Sequence, residues 1–339
     1  MRSILVISTA LCGALALTAC STPSPSTPDA EPVTAAGSPA AVTSCGLDLE
    51  LAQAPTQAVT LEQGATEVLL ALGLEDSMVG TSYLTDAVAP ELSEAYATVP
   101  VLADQYPTAE QLRGVEPDFV YSMRASAFAT DAVGPRAELL DLGVPAYLSA
   151  NDCEDPSLVD GPADFDRIFT EVQDLAAIFG VPERAEELVA EQQATLDEVT
   201  ASASEVRSLD VVWIYSTING APIVAGSTGL PQTLTDLAGA TNAFDDLDAQ
   251  WSETTWDEIA QRDPGVVVLA DLSRGLPGDS AEEKADHLRG DPVASLLSAV
   301  QADRLVPIPA TEMDPSVRSI DALQTLSAAL VTFAAEEAA

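Results

Sequence analysis

The sequence predicts an α/β protein of two lobes, each built on a parallel-type sheet, joined by one long rigid spine helix. Three observations lead there. Strand and helix signals alternate on both sides of residues 182–204. That stretch itself reads as a helix about 33 Å long, roughly a domain diameter. The two flanking blocks also share one motif in the same register.

The N-terminus comes first. Arg2 precedes a short apolar run over residues 4–17, too short for a comfortable membrane span and followed by small residues. It closes with Leu17-Thr18-Ala19-Cys20, which resembles the bacterial lipobox. Residues 1–19 are therefore expected to be a lipoprotein signal peptide, with lipid on Cys20 holding the chain to the outer face of a membrane; ordinary secretory cleavage is the alternative. Residues 20–43, rich in Ser, Thr, Pro and Ala, read as a disordered tether.

An N-terminal lobe is expected over residues 44–180. Residues 58–61 read as a strand, and 63–72 as a helix closed by Gly73. Strands follow at 77–82, 119–122 and 144–148, and helices at 108–115 and 132–142, with no Asn-Gly hairpin between them. That alternation indicates a parallel sheet with helices on both faces. Residues 163–179 carry a helical stripe of Phe165, Ile168, Phe169, Val172, Leu175, Ala176 and Phe179, expected to pack on this lobe.

The spine is placed at residues 181–205. Pro182 suits a first helical turn, and Glu183, Glu186 and Glu187 suit the positive end of the dipole. Ala185, Leu188, Val189, Gln192, Leu196 and Val199 fall on one face. No glycine or proline interrupts residues 183–204, so a small change in lobe angle on binding is expected.

The C-terminal lobe is expected over residues 206–339, with strands at 209–216, 221–225, 266–270 and 304–308. Helices are expected at 230–238, 256–261, 281–289, 293–300 and 319–337. Thr108-Ala109-Glu110-Gln111-Leu112 with Pro117 is echoed by Thr255-Trp256-Asp257-Glu258-Ile259 with Pro264. In each, a helix feeds a buried strand through an acid-proline turn.

Bulk properties restrict function. With 13 basic and 54 acidic residues the net charge is −41. That leaves no basic footprint for nucleic acid and no polybasic attraction to anionic lipid. After Cys12 departs with the signal and Cys20 takes lipid, Cys45 and Cys153 remain. They are expected to form a disulfide in an oxidising compartment, the alternative being two buried thiols. The single histidine, His287, lies in a charged helix and reads as exposed. No metal is expected to be held by protein side chains.

Several stretches together resemble the metal-chelate class of ABC importer binding proteins, the ferric-siderophore, haem and cobalamin binders. These are residues 60–73, Met78-Val79-Gly80, residues 112–120, residues 178–185, and Gly226 to Gly229 leading to residues 237–242. The resemblance implies two Rossmann-like lobes of the helical-backbone metal-receptor type. It implies a monomer that delivers a bound chelate to an importer permease and its ATPase, with no cofactor of its own. By motif position, Glu67 and Asp236 would be the acids that dock to the permease, the other reading of each being a solvated helix acid.

Ligands of open α/β sheets sit outside the carboxyl ends of the strands. The residues there are Gln63, Tyr83, Tyr106, Met123 and Arg124 in the first lobe, and Tyr215, Trp251, Arg274 and Arg318 in the second. Guanidinium groups suit carboxylate, hydroxamate or catecholate oxygens, and aromatic rings cover flat ligands. A ferric siderophore leads as ligand, before haem, a corrinoid or a metal-free anionic cofactor precursor. The rival readings are a paired-carboxylate hydrolase of cell-wall glycans and a wall-tethered structural lipoprotein. The sequence has no Gly-x-Ser-x-Gly elbow, phosphate-cradling glycine loop or His-Glu-x-x-His, and the expectation is a protein that is not an enzyme.

Overall fold

A computed structural model of the chain describes residues 40–337 except 160, 207, 208 and 219. The expected signal peptide, Cys20 and the tether as far as residue 39 lie outside the described residues. The tether ends earlier than expected, because β1 (Ala40–Ser44) pairs antiparallel with β2 (Leu47–Leu51) through Cys45 and Gly46. Both turn residues have positive φ, 46° and 76°, as a two-residue hairpin of this hand requires.

The N-lobe sheet is built from β3 (Ala58–Leu61), β4 (Met78–Ser82), β5 (Val101–Ala103), β6 (Phe119–Ser122) and β7 (Ala146–Leu148). Its spatial order is β5-β4-β3-β6-β7, and every pairing is parallel. The helices between the strands are α1 (Gln63–Ala71), α2 (Ser93–Tyr96), α3 (Ala109–Gly114) and α4 (Arg136–Asp141). α4 starts later than expected because Pro135 stands at its N-cap.

The β1–β2 hairpin docks on the far edge of this sheet. The Ser44 hydroxyl accepts from the Leu148 amide and donates to the Leu148 carbonyl, both at 2.8 Å. Buried Arg136 donates to the carbonyls of Ser44 and Ala146. The Cys45–Cys153 disulfide closes the same edge, with Cα atoms 5.3 Å apart across 108 residues of sequence.

Helices α5 (Phe165–Phe179) and α6 (Pro182–Ser202) follow. Gly180, in the left-handed region at φ 71°, ends α5, and Pro182 opens α6. The N-terminal part of α6 buries Ala185 in the N-lobe core, and its C-terminal part buries Val199 in the C-lobe core. α5 was expected to pack on the N-lobe alone. It also crosses: Phe165, Ile168 and Phe169 sit in the C-lobe core, Val172, Leu175 and Phe179 in the N-lobe core. Two helices therefore connect the lobes, and the boundary at residue 180 does not separate their cores.

The C-lobe contains β8 (Asp210–Ile218), β9 (Ala221–Ala225), α7 (Leu230–Leu237), β10 (Thr241–Asn242), β11 (Trp251–Glu253) and α8 (Trp256–Arg262). It continues with β12 (Val266–Asp271), α9 (Ala281–Gly290), α10 (Ser298–Gln301), β13 (Leu305–Pro309) and α11 (Ser319–Glu337). Its sheet runs β11-β9-β8-β12-β13, with β10 alongside β8. It is mixed, not parallel throughout: β9 is antiparallel to both β8 and β11. β8 and β9 meet at the pair Ile218 and Ala221, and Gly220 just before β9 has φ 86°, as a tight turn of this hand requires. The helix expected over 293–300 is broken into a 3₁₀ turn (Ala294–Leu296) and α10.

The sequence echo has a physical basis. Thr108 and Thr255 are both N-caps, each accepting from the amide three residues on, at 3.2 and 3.1 Å. Glu116 and Asp263, each before its proline, both adopt positive φ. α7 ends at Gly239 (φ 82°), where a Cβ would lie 2.4 Å from the Ala203 carbonyl oxygen at the end of the spine.

The disulfide closes a loop long enough to matter to the unfolded chain. Reducing it, or replacing both cysteines by alanine, is expected to lower the unfolding free energy by about 2–5 kcal/mol, read from urea midpoints. An unchanged midpoint would show that Arg136 and Ser44 alone hold the hairpin.

Candidate ligand-binding cleft

The carboxyl ends of both sheets open onto one cleft of about 800 Å³ between the lobes. Its floor starts with two backbone positions that L-residues seldom occupy. Glu62, the first residue past β3, has φ 75°, and Tyr83, the first past β4, has φ 57°. Each such non-glycine residue costs on the order of 1–3 kcal/mol and persists only where its surroundings hold it. The Glu62 amide donates to the Ser82 carbonyl at 3.0 Å, and the Tyr83 amide to the Ala103 carbonyl at 3.4 Å. The strain turns both side chains into the cleft.

Glu62 is the group that position-based reasoning missed. Its carboxyl accepts from the Ser122 hydroxyl and the Met123 amide, all at 3.0 Å. Burial pushes its pKa up to about 8, against hydrogen bonds from Tyr106, Met123 and Ser122 that pull it down. Tyr106 stands edge-on to Tyr83, ring centroids 4.8 Å apart, and its hydroxyl lies 3.3 Å from that of Ser126.

Of the expected residues, Gln63, Tyr83, Tyr106, Met123, Arg124 and Tyr215 line the cleft. Gly64 beside Gln63 permits a close approach, since a Cβ there would meet Met123 and come within 3.2 Å of Ser316 from the other lobe. Arg124 reaches across the gap, its Nη2 2.5 Å from Asp314 Oδ1. The Asp314 charge holds its guanidinium pKa above the usual value. Burial pushes the Tyr215 phenol up to about 12.

Three expected ligand contacts fall elsewhere. Trp251 is packed behind Tyr215, centroids 5.0 Å apart, and is not in the lining. Arg274 is drawn away by Asp279 at 2.5 Å. Arg318 is buried between the lobes, 2.7 Å from Glu312 and 3.5 Å from Glu67. Glu67 is fully buried, accepting from Gln63 at 2.7 Å and from the Ala89 amide at 3.2 Å, so it presents no docking charge at the surface. Asp236 is exposed, accepting from Gln232 at 3.0 Å.

Besides Glu62, the lining includes Asn151, Asp152, Asp248, Gln250 and Asp314. They lie in loops whose course no strand or helix periodicity fixes. Among the described residues no cluster of three or more His, Cys, Asp or Glu is placed to hold a metal ion, and no helix is long and apolar enough to cross a membrane. His287 is exposed on α9 beside Trp256, away from the cleft.

The lobes are latched at three places around the cleft. Besides Arg124–Asp314 and Glu67–Arg318, Asp86 accepts from the Ser273 amide and hydroxyl at 3.0 and 2.7 Å. At the back, Gln192 on α6 donates to the Val317 carbonyl at 2.7 Å.

The profile of the family described as "Periplasmic binding protein" matches residues 59–312. An uncharacterized ABC transporter substrate-binding lipoprotein, YvrC of Bacillus subtilis, is 22% identical over 240 residues, covering 70% of this chain and 69% of that protein. The vitamin B12-binding protein of Yersinia pestis is 24% identical over 234 residues, covering 68% and 75%. A periplasmic binding protein from Veillonella parvula superposes with a TM-score of 0.76 at 27% identity, covering 87% of this chain and 98% of that one.

Glu62 binds its proton more tightly folded than unfolded, because its pKa rises from 4.5 to about 8. Its contribution is fully present below about pH 4.5 and is lost as pH rises towards 8. Glu62→Gln cannot ionise, so its stability relative to the parent is expected to increase steadily from pH 5 to 8, measured by urea unfolding. A constant difference would contradict a buried, proton-holding carboxyl.

Proposed function

The chain belongs to the periplasmic binding protein family, extracytoplasmic solute-binding proteins of ABC transporters, and from that premise we propose that it captures a metal chelate, a ferric siderophore first, between its lobes. It hands the chelate to an importer permease driven by an ATPase. Lipid on Cys20 keeps it at the outer face of the membrane, and Asp236 is the candidate docking acid that stands exposed. It carries out no chemistry on its ligand.

The observation that carries this reading is the cleft itself. About 800 Å³ accommodates an organic chelate but is far larger than a bare ion needs. Three tyrosines supply ring faces and hydroxyls, and Arg124, Gln63 and Gln250 supply donors. A chelator that already fills the metal's coordination sphere asks for this kind of surface and not for protein ligands to the metal. A corrinoid is the second reading, favoured by the likeness to a vitamin B12-binding protein.

Trp251 touches Tyr215 from behind and so serves as a reporter. Ferric siderophores or cobalamin titrated into the purified protein are expected to change its tryptophan emission, with saturation at one ligand per chain. Tyr215→Ala is expected to weaken binding by tenfold or more, on the order expected of a central aromatic contact. Absence of binding by any chelate would remove this reading.

A further inference from the structure

Glu62 holds at φ 75° a conformation that glycine would adopt without strain, and the result is a carboxyl in the lining of the cleft. That carboxyl makes no ion pair among the described residues. Arg124, the cation beside it, is held by Asp314 at 2.5 Å. An enclosed carboxyl without a cation of its own keeps its proton, and burial pushes the Glu62 pKa up to about 8. The phenols of Tyr106 and Tyr121, which face it, are held above their usual range by burial, and Asp314 raises Arg124. Tyr83, Asp152, Tyr215, Asp248 and Asp314 complete the ionisable groups of the lining.

That proton changes what the neighbours of Glu62 do with theirs. Three donors converge on the carboxyl: the Met123 amide and the Ser122 hydroxyl, both at 3.0 Å, and the Tyr106 hydroxyl. A carboxylate accepts all three, whereas a neutral carboxyl brings a hydrogen that needs an acceptor among the same groups. The Met123 amide cannot reverse, but the two hydroxyls can. Ser122 accepts from the Arg124 amide at 3.1 Å and lies 3.0 Å from the Arg124 carbonyl, to which it can donate instead. Tyr106 has the Ser126 hydroxyl at 3.3 Å, and both residues line the cleft. A neutral carboxyl is also the weaker acceptor, so it competes little for the Tyr106 hydrogen. Once Glu62 ionises, the carboxylate draws that hydrogen to itself.

We propose that Glu62 is a positioning residue for capture: its neutral carboxyl leaves the Tyr106 hydroxyl as a donor to an acceptor oxygen of the ligand, so that ligand binding is linked to the proton on Glu62. This rests on the chelate-binding reading above and adds a proton-linked contact to it. Tyr106 then acts beside the hydroxyls of Tyr83 and Tyr215, which make no hydrogen bond among the described residues.

The test is calorimetric titration of the purified full chain, from about pH 6.5 to about pH 9, with ferrichrome, ferric enterobactin and cyanocobalamin, none of which gains or loses a proton in that range. For whichever binds, Kd is expected to be level at the acid end and to rise roughly tenfold by about pH 9, because only the fraction with neutral Glu62, whose pKa is about 8, is competent. Glu62→Gln is neutral throughout, so it should show no slope and should bind more tightly than the parent at the alkaline end. Tyr106→Phe should bind roughly threefold to tenfold more weakly than the parent at the acid end, the loss of one hydrogen bond, and should also show no slope. Circular dichroism at each pH separates unfolding from lost affinity. A level profile in the parent, or a slope that persists in Glu62→Gln or Tyr106→Phe, would overturn the role given to Glu62 and leave the chelate reading standing. No binding by any of the three would overturn both.

Discussion

The gap between the lobes is set by helix α6, which buries Ala185 in one core and Val199 in the other and so holds the two sheets at a fixed separation. α5 repeats the arrangement in the opposite direction, so a change in lobe angle would have to disturb apolar packing on two helices at once. Packed interiors resist such deformation because each displaced contact forfeits dispersion and exposes apolar surface. Gln192, on the stripe of α6 between these two anchors, uses its side-chain amide to hold the Val317 carbonyl where the C-lobe meets the spine. Without glycine or proline after Pro182, α6 also has no local weak point.

Polar contacts then fix the mouth and the interior of the gap. They are unequal. Glu67–Arg318 is almost wholly buried, with side chains 0% and 10% exposed, and Arg318 also holds Glu312 at 2.7 Å, so removing Arg318 leaves two buried carboxyls without their cation and costs on the order of 3–5 kcal/mol. Arg124–Asp314 is about a third exposed on both sides, so solvent screens it and its net contribution is small. The first pair behaves as structure. The second lies in the lining itself, where a ligand can exchange with it. Of the two, the contact in the lining costs less to break, while the neighbouring strand ends hold the strained backbones of Glu62 and Tyr83 in place.

Much of this was legible in the sequence, for identifiable reasons. The N-lobe sheet, the spine and the threonine-capped helices α3 and α8 follow from periodicity and capping chemistry, which act locally. The Cys45–Cys153 pairing followed from counting. The β1–β2 hairpin has a sequence signal in the strict alternation of Leu47-Asp48-Leu49-Glu50-Leu51, and the dipeptide Asn219-Gly220 is a hairpin signal between two apolar runs in the C-lobe. The least legible features are the partners of charged side chains. Motif position offers Glu67 as a docking acid, but α1 is buried on nearly every face, from Gln63 to Leu70. Arg274 follows a strand and Arg318 lies in the loop before the last helix, yet each has a carboxylate partner a few residues away, Asp279 or Glu312. In a chain with 54 acids, position alone cannot say whether an arginine is available to a ligand.

The most direct test of the account is a crystal structure of the protein grown with a bound ferric chelate, with the iron located by its anomalous scattering. The iron is expected between Tyr83, Tyr106 and Tyr215, with the α5–α6 pair and the Glu67–Arg318 contact unchanged. Iron located outside the inter-lobe cleft, or an α6 bent to admit it, would contradict a pre-formed site held open by two helices.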